Sequence, residues 1–225
     1  MRKIIIAIDG PAASGKSTTA RLVAKKLGYL HIDTGAMYRA ITLKVLERKI
    51  PFDDHATIAD LAEHTEIRLT KENENLHVFL DKKDVSTEIR TQAVSKATSP
   101  VSSIKAVREV MVREQRMMGK DGGVVLEGRD IGTVVFPEAE LKIFLIADVT
   151  ERAKRRQREL QNNGVEVEIE KLADELSKRD EFDSTRKESP LRKAYDAILL
   201  DTSNMTIDDE VEFIVEKAKA IIDKP

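Results

Sequence analysis

The chain contains no cysteine. Disulfides, thiolate nucleophiles and cysteine-held zinc are therefore excluded, and the absence fits a reducing compartment. A global basic field is missing too. Net charge is −2 at pH 7 and the pI is about 6.2, so no nucleic acid or anionic membrane is expected as partner. Long apolar runs are absent: none approaches the roughly 18 residues that cross a bilayer. Met1-Arg2-Lys3 has the charge of a signal-peptide start, but the apolar run after it stops at Asp9, too short for such a signal. A cytoplasmic location is expected. The four histidines, His31, His55, His64 and His77, sit in unrelated contexts and form no evident catalytic dyad. The Asn-Lys-x-Asp tetrapeptide with which a GTPase switch reads guanine is also missing.

What is present describes a globular α/β protein. The 225 residues are 41% hydrophobic and 35% charged, enough for one sizeable core or a core with an insert. Short apolar segments at 4–8, 29–32, 124–126, 141–146 and 197–200 read as strands covered on both faces. Helical patterns occupy 15–27, 36–49, 104–119, 150–162, 167–178 and 207–222. This alternation predicts a parallel sheet with right-handed crossovers. Ligands of such sheets bind beyond the carboxyl ends of the strands. Residues 65–85 break the rhythm with short alternation around the polar run KENEN, which predicts a small antiparallel insert.

Gly10-Pro11-Ala12-Ala13-Ser14-Gly15-Lys16-Ser17 matches G-x-x-x-x-G-K-[ST] between the first strand and the first helix. In this pattern successive backbone N–H groups and the positive helix end cradle phosphates. Lys16 reaches the β- and γ-phosphates, the Ser17 hydroxyl ligates Mg²⁺, and Thr18 extends the helix start. The loop implies a nucleoside triphosphate without choosing the base or the fate of the γ-phosphate.

Arginines follow the later strands. Asp33-Thr34-Gly35-Ala36-Met37-Tyr38-Arg39 places Thr34 in position to cap a helix and Arg39 about a turn inside it. Arg108 lies near Glu109 and Glu114. Arg129 lies in VVLEGRDIGTVVFP, between glycines, just past a strand. In TERAKRRQRE, Arg152, Arg155 and Arg156 share one helical face. Arg179, Asp183 and Arg186 would line one side of a further helix. Solvated, salt-bridged helices account for most of these clusters equally well when each is taken alone. Together they place cations after the second, third and fourth strands, around one phosphate loop. Phosphoryl transfer between two anionic substrates needs such an arrangement.

Taken together, residues 10–18, DTGAMYR, EGRDIGTVVFP, Arg152–Arg156 and 178–186 resemble the bacterial-type cytidylate kinase family over nearly the whole chain. The resemblance implies ATP-dependent phosphorylation of CMP and dCMP, with Mg²⁺. It implies a P-loop NTPase-type, five-stranded parallel sheet flanked by helices, with a small antiparallel insert and a helical lid. The expected division is a core over 1–64 and 97–225, a lid at about 150–168 and an insert over 65–96 in the NMP-binding region. Thr34, Arg39, Ser99, Arg108, Arg129, Asp130, Arg179, Asp183 and Arg186 become the expected CMP environment. Lys16, Arg129, Arg152, Arg155 and Arg156 become the expected catalytic set, and a monomer is expected. Cytosine offers an amino donor and two acceptors, so Ser99, Arg108 and Asp130 are assigned to the base. Asp183 is assigned to the ribose, and Arg39, Arg129 and Arg186 to the phosphate. Glu127 is expected to orient Arg129 or metal-bound water. Other acceptors of the same fold, such as UMP or AMP, remain the nearest alternative. An ATP-gated binding protein would bind ATP without turnover stimulated by any nucleoside monophosphate.

Overall fold

The structure is a computed structural model that describes residues 2–72, 75–162 and 164–224. It divides into two compact units. One holds residues up to Ile32 and from Gly119 onward; the other is Asp33–Met118.

The first unit is built on a five-stranded parallel sheet. Its strands are β1 (Ile5–Asp9), β2 (Leu30–Asp33), β6 (Val124–Gly128), β7 (Leu141–Ile146) and β8 (Ile198–Asp201), in the order β2-β6-β1-β7-β8. Each expected strand is found, displaced by one or two residues at most. β1 is central and pairs with β6 from Ile5↔Val124 to Asp9↔Gly128. It pairs with β7 from Ile6↔Leu141 to Asp9↔Phe144. Residues of β1 and β6 are apolar at consecutive positions because both faces are covered. Ile4, Ile6, Ile8, Val125, Ile143 and Leu145 pack with Ala20, Val23 and Ala24 of α1 (Lys16–Leu27) and with Val211, Ile214 and Val215 of α8 (Ile207–Ile222). Each such buried Ile, Leu or Val side chain contributes roughly 1.5–3 kcal/mol. A capping box of Thr206 and Asp209 starts α8.

A smaller cluster joins α6 (Val149–Gln161) and α7 (Ile169–Thr185) to the segment after β1. Ala12 packs there with Ala153, Leu172 and Leu176. α7 runs seven residues beyond the expected end at 178, which places Arg179 and Asp183 on the helix and leaves Arg186 as its C-cap. The apolar run after Asp130 is a π turn, Ile131–Val135, in which the Asp130 carbonyl accepts from the N–H groups of Val134 and Val135.

The second unit is organised around α2 (Thr34–Glu47). One side of α2 presents Met37, Tyr38, Ile41 and Val45 to Ile58 of α3 (His55–Glu63) and Val107 and Met111 of α5 (Lys105–Gly119). Ala36, Ala40 and Leu43 pack with Val78 and Leu80 of β4 (Asn75–Leu80) and with Val94 of α4 (Gln92–Ser102). β3 (Ile67–Glu72), β4 (Asn75–Leu80) and β5 (Lys83–Asp84) form the expected antiparallel sheet, with Ile67 opposite Leu80. The expected turn within KENEN lies partly outside the described residues. The sheet is too small to hold a core alone, and packing against α2 gives it one. Thr34 is not the cap of α2. Asp33 is, accepting from the Ala36 N–H at 2.9 Å, and Thr34 becomes the first helical residue.

Candidate active site

β1 ends at Asp9 and α1 starts at Lys16, so the motif glycines form the turn between them. Gly10 has φ +153°, and a Cβ there would lie 2.0 Å from the Leu145 carbonyl oxygen. The chain passes so close to β7 that glycine alone fits. Ala13 adopts φ +58°, a left-handed conformation costing an alanine on the order of 1 kcal/mol. Gly15 precedes α1 and supplies no side-chain cap, leaving the helix N–H groups and dipole to favour an anion. Lys16 is buried; its Nζ donates to the Pro11 carbonyl and, at 3.2 Å, to Ser14 Oγ. Burial first, then the charge of Arg129, push its ammonium down to about 7, against the pull of Glu127 and Asp9. Ser17 and Thr18 are exposed at the start of α1.

Two buried carboxylates stand at the ends of the adjacent strands β1 and β6. Glu127 Oε2 accepts from the Ser17 hydroxyl at 2.6 Å, and its Oε1 lies 2.9 Å from His31 Nε2 on β2. Asp9 Oδ1 accepts from the Ile131 N–H and Oδ2 from the Gly132 N–H, each at 2.8 Å. Desolvation outweighs these two hydrogen bonds, so the Asp9 carboxyl is raised to about 6 and is still mainly ionised at neutral pH.

The three arginines of α6 have different surroundings despite their shared spacing. Arg152 is buried; Nε donates to the Ala147 carbonyl and Nη1 to the Ala12 carbonyl at 3.1 Å and Asp180 Oδ2 at 2.6 Å. Arg155 donates to the Ser14 carbonyl at 3.0 Å and the Thr202 carbonyl at 2.8 Å. Arg156 pairs with Glu159 at 2.7 Å nearer the surface. Arg152 and Arg155 thus hold backbone oxygens of the phosphate loop itself. Glu210 of α8 supports the same loop, accepting from Thr19 Oγ1 at 2.6 Å while the Thr19 N–H donates to the Gly15 carbonyl at 3.1 Å.

Beyond β6, Arg129 donates from Nε to Asp183 Oδ2 at 2.9 Å. Asp183 is buried and also lies 3.8 Å from Arg186 Nη1. Arg186 in turn holds the Ser189 carbonyl through Nε and Nη2. Three expected acceptor residues are therefore one connected group. Asp130 is buried at the entrance of the π turn, and Arg179 is half-buried on α7.

The second unit holds the remaining expected residues. Thr34 is buried at the first turn of α2, and Arg39 pairs with Asp33 at 2.9 Å. Arg108 is not a surface arginine: it is 4% exposed, donates to the Ser102 carbonyl at 3.1 Å, and lies 5.2 Å from the Tyr38 ring centroid. Thr98, Ser102 and Ser103 donate their hydroxyls to the carbonyls of Val94, Ser99 and Pro100. Half-buried Ser99 stands among them on α4.

Sequence reasoning missed Asp9, His31, Asp33, Asp180 and Glu210. Asp9 and Glu210 bond to groups more than a hundred residues away, beyond the reach of any local spacing. One signal was readable: a carboxylate closing an apolar strand immediately before a phosphate loop must have a partner.

A phosphate loop on the central strand of a parallel sheet, with arginine–carboxylate groups at the neighbouring strand ends, defines a P-loop kinase. Solved structures agree on the fold. A protein from Eubacterium ventriosum covers 97% of this chain and 99% of its own, with TM-score 0.54 and 14% identity. A gluconokinase from Sinorhizobium meliloti covers 98% and 95%, with TM-score 0.50 and 13% identity. The cytidylate kinase family model matches residues 6–220. A cytidylate kinase from Chloroherpeton thalassium is 54% identical over 98% of this chain and 95% of its own. One from Bacillus pumilus is 50% identical over 98% of each. The chain belongs to the cytidylate kinase family.

Proposed function

We infer that this chain transfers the γ-phosphoryl group of ATP to CMP or dCMP, giving ADP and CDP or dCDP. The observation that carries this reading is its identity of 50% and 54%, over nearly full length, to two proteins bearing the name cytidylate kinase. The acceptor is a phosphate monoester with a second pKa near 6, already ionised at neutral pH, so no general base is needed. Catalysis then rests on positioning and on charge aimed at the equatorial oxygens.

The phosphate loop, residues 10–18, receives the triphosphate of ATP. Lys16 meets the β- and γ-phosphates, whose charge raises its ammonium from the low value that burial imposes. Ser17 and Glu127 offer hard oxygen donors 2.6 Å apart, a set that suits Mg²⁺. When bound, Mg²⁺ neutralises developing charge on the phosphate oxygens. Arg152 and Arg155 hold the loop that carries ATP, and Arg156 reaches toward the transferring group as the lid that begins with α6 closes.

Arg39, Arg129 and Arg186 bind the acceptor phosphate, and Thr34 and Arg179 belong to the same CMP-binding set. Asp183 binds the ribose. Ser99, Arg108 and Asp130 read cytosine; the backbone bonds of Thr98, Ser102 and Ser103 support Ser99 as the hydroxyl assigned to the base. Uracil reverses the edge at N3 and C4 and would leave these groups unpaired. The enzyme works as a cytoplasmic monomer; no helix among the described residues is long and apolar enough to cross a membrane. ADP formation with CMP, dCMP, UMP and AMP in turn tests the reading. CMP and dCMP should lead, and a clear preference for UMP or AMP would overturn it.

A further inference from the structure

We propose that Asp9 is a positioning residue for the acceptor side of the reaction, holding the backbone of Ile131 and Gly132 so that Arg129 and Asp130 meet the nucleoside monophosphate in one geometry. The proposal rests on the CMP kinase reading given above.

Both oxygens of Asp9 are engaged by consecutive amides, Oδ1 by Ile131 and Oδ2 by Gly132, each at 2.8 Å. A carboxylate that accepts two adjacent N–H groups fixes the orientation of the peptide between them. That peptide opens the π turn directly after Arg129-Asp130. Position 132 is tightly enclosed: a Cβ there would sit 3.2 Å from Lys142 Cδ and 3.4 Å from Asp9 Oδ2. The loop therefore has little room to settle elsewhere while the carboxylate is in place.

The anchor itself is rigid. Asp9 ends the central strand, paired with Gly128 on one side and Phe144 on the other. It is 5% exposed, and burying a carboxylate is costly unless hydrogen bonds offset it. Here the offset is incomplete, since burial remains the largest influence on its protonation. A neutral cap for the same turn would avoid that cost. A carboxylate is favoured where two amides must be held at once, because an ionised group accepts at both oxygens.

Two other roles are open to a carboxylate in this place. Asp9 directly precedes Gly10, so one alternative is service to the ATP loop; the other is to balance, by charge alone, Lys16, which it influences. Separate variants distinguish them. Asp9→Asn keeps the shape but turns one acceptor into a donor. Asp9→Glu keeps the charge but moves the oxygens.

The experiment uses the full chain, after the wild type has been shown to phosphorylate CMP; a wild type inactive on CMP would count against the function, not against Asp9. Steady-state rates are measured with ATP and CMP both varied. Asp9→Asn and Asp9→Glu should each lower kcat/KM for CMP on the order of 10²-fold, as displaced substrate-positioning groups do. KM for ATP should stay within about twofold. The proposal falls if KM for ATP rises as much as KM for CMP, if neither changes, or if Asp9→Glu behaves as wild type. A second reading needs no variant and no activity. Long-range HNCO spectra of the wild type should show couplings from the Ile131 and Gly132 amide nitrogens to the Asp9 carboxylate carbon. Absence of both couplings would overturn the proposal whatever the kinetics.

Discussion

Asp9 and Glu127 are near neighbours with opposite allegiances. Asp9 ends β1, just before the phosphate loop, yet grips the turn that follows β6. Glu127 stands near the end of β6, just before Arg129, yet bonds Ser17 at the far end of the phosphate loop. Parallel pairing puts Ile8 opposite Glu127 and Asp9 opposite Gly128, which brings the two loops side by side. Each strand thus lends its carboxylate to the loop of the other. The lesson is that a carboxylate's place in the chain does not reveal which substrate it serves; its hydrogen-bond partners do.

The largest effect should come from breaking the Glu127 half. Glu127→Gln keeps the volume, removes the charge beside Ser17 and should lower kcat by about 10²- to 10³-fold, the range seen on loss of a preorganised electrostatic group. ATP binding in the presence of Mg²⁺ should weaken, while binding without it changes little; calorimetry with and without the metal checks this. Asp9→Asn, the other half, should be somewhat milder and confined to CMP, as set out above.

How far the sequence reveals this arrangement depends on the range of each interaction. The strands are readable because β1 and β6 are apolar at consecutive positions, and the phosphate loop because its glycines and Lys16 are contiguous. The arginine groups of α6 and α7 are also readable as spacings. What each arginine touches is not: Arg152 meets the Ala12 carbonyl 140 residues away, whereas Arg156 meets Glu159 three residues on. Helices α3 and α4 escaped notice for another reason. α4 contains QAVSKATSPVS, rich in hydroxyls and β-branched residues and with Pro100 near its end. Such a segment reads as a loop until the burial of Val94, Ala97 and Val101 overrides local propensity.

Smaller effects sharpen the comparison. His31 Nε2 lies 2.9 Å from Glu127 Oε1 and so belongs to the Glu127 half of the pair. His31→Phe should therefore lower kcat roughly 3- to 10-fold, a loss near the ~1 kcal/mol of one hydrogen bond. KM for CMP should not follow; steady-state kinetics with each substrate varied will show whether it does.

A last effect falls on stability against pH rather than on turnover. The Asp9 carboxyl titrates near 6 in the fold, above its ordinary 3.8. Between these values the folded chain binds the extra proton, so stability from this group is greatest in acid and falls as pH rises through about 4 to 6. Relative to wild type, Asp9→Asn should therefore gain on the order of 2 kcal/mol between pH 4 and pH 7. Denaturant unfolding of both proteins at the two pH values gives the difference directly. A constant gap would mean that Asp9 titrates alike in the folded and unfolded chain.

The most direct measurement is equilibrium binding of each substrate alone to Asp9→Asn and to Glu127→Gln, by calorimetry, with no turnover involved. Crossed carboxylates predict that Asp9→Asn loses affinity for CMP and keeps it for ATP with Mg²⁺, while Glu127→Gln does the reverse. Loss of the same substrate in both variants would contradict the account.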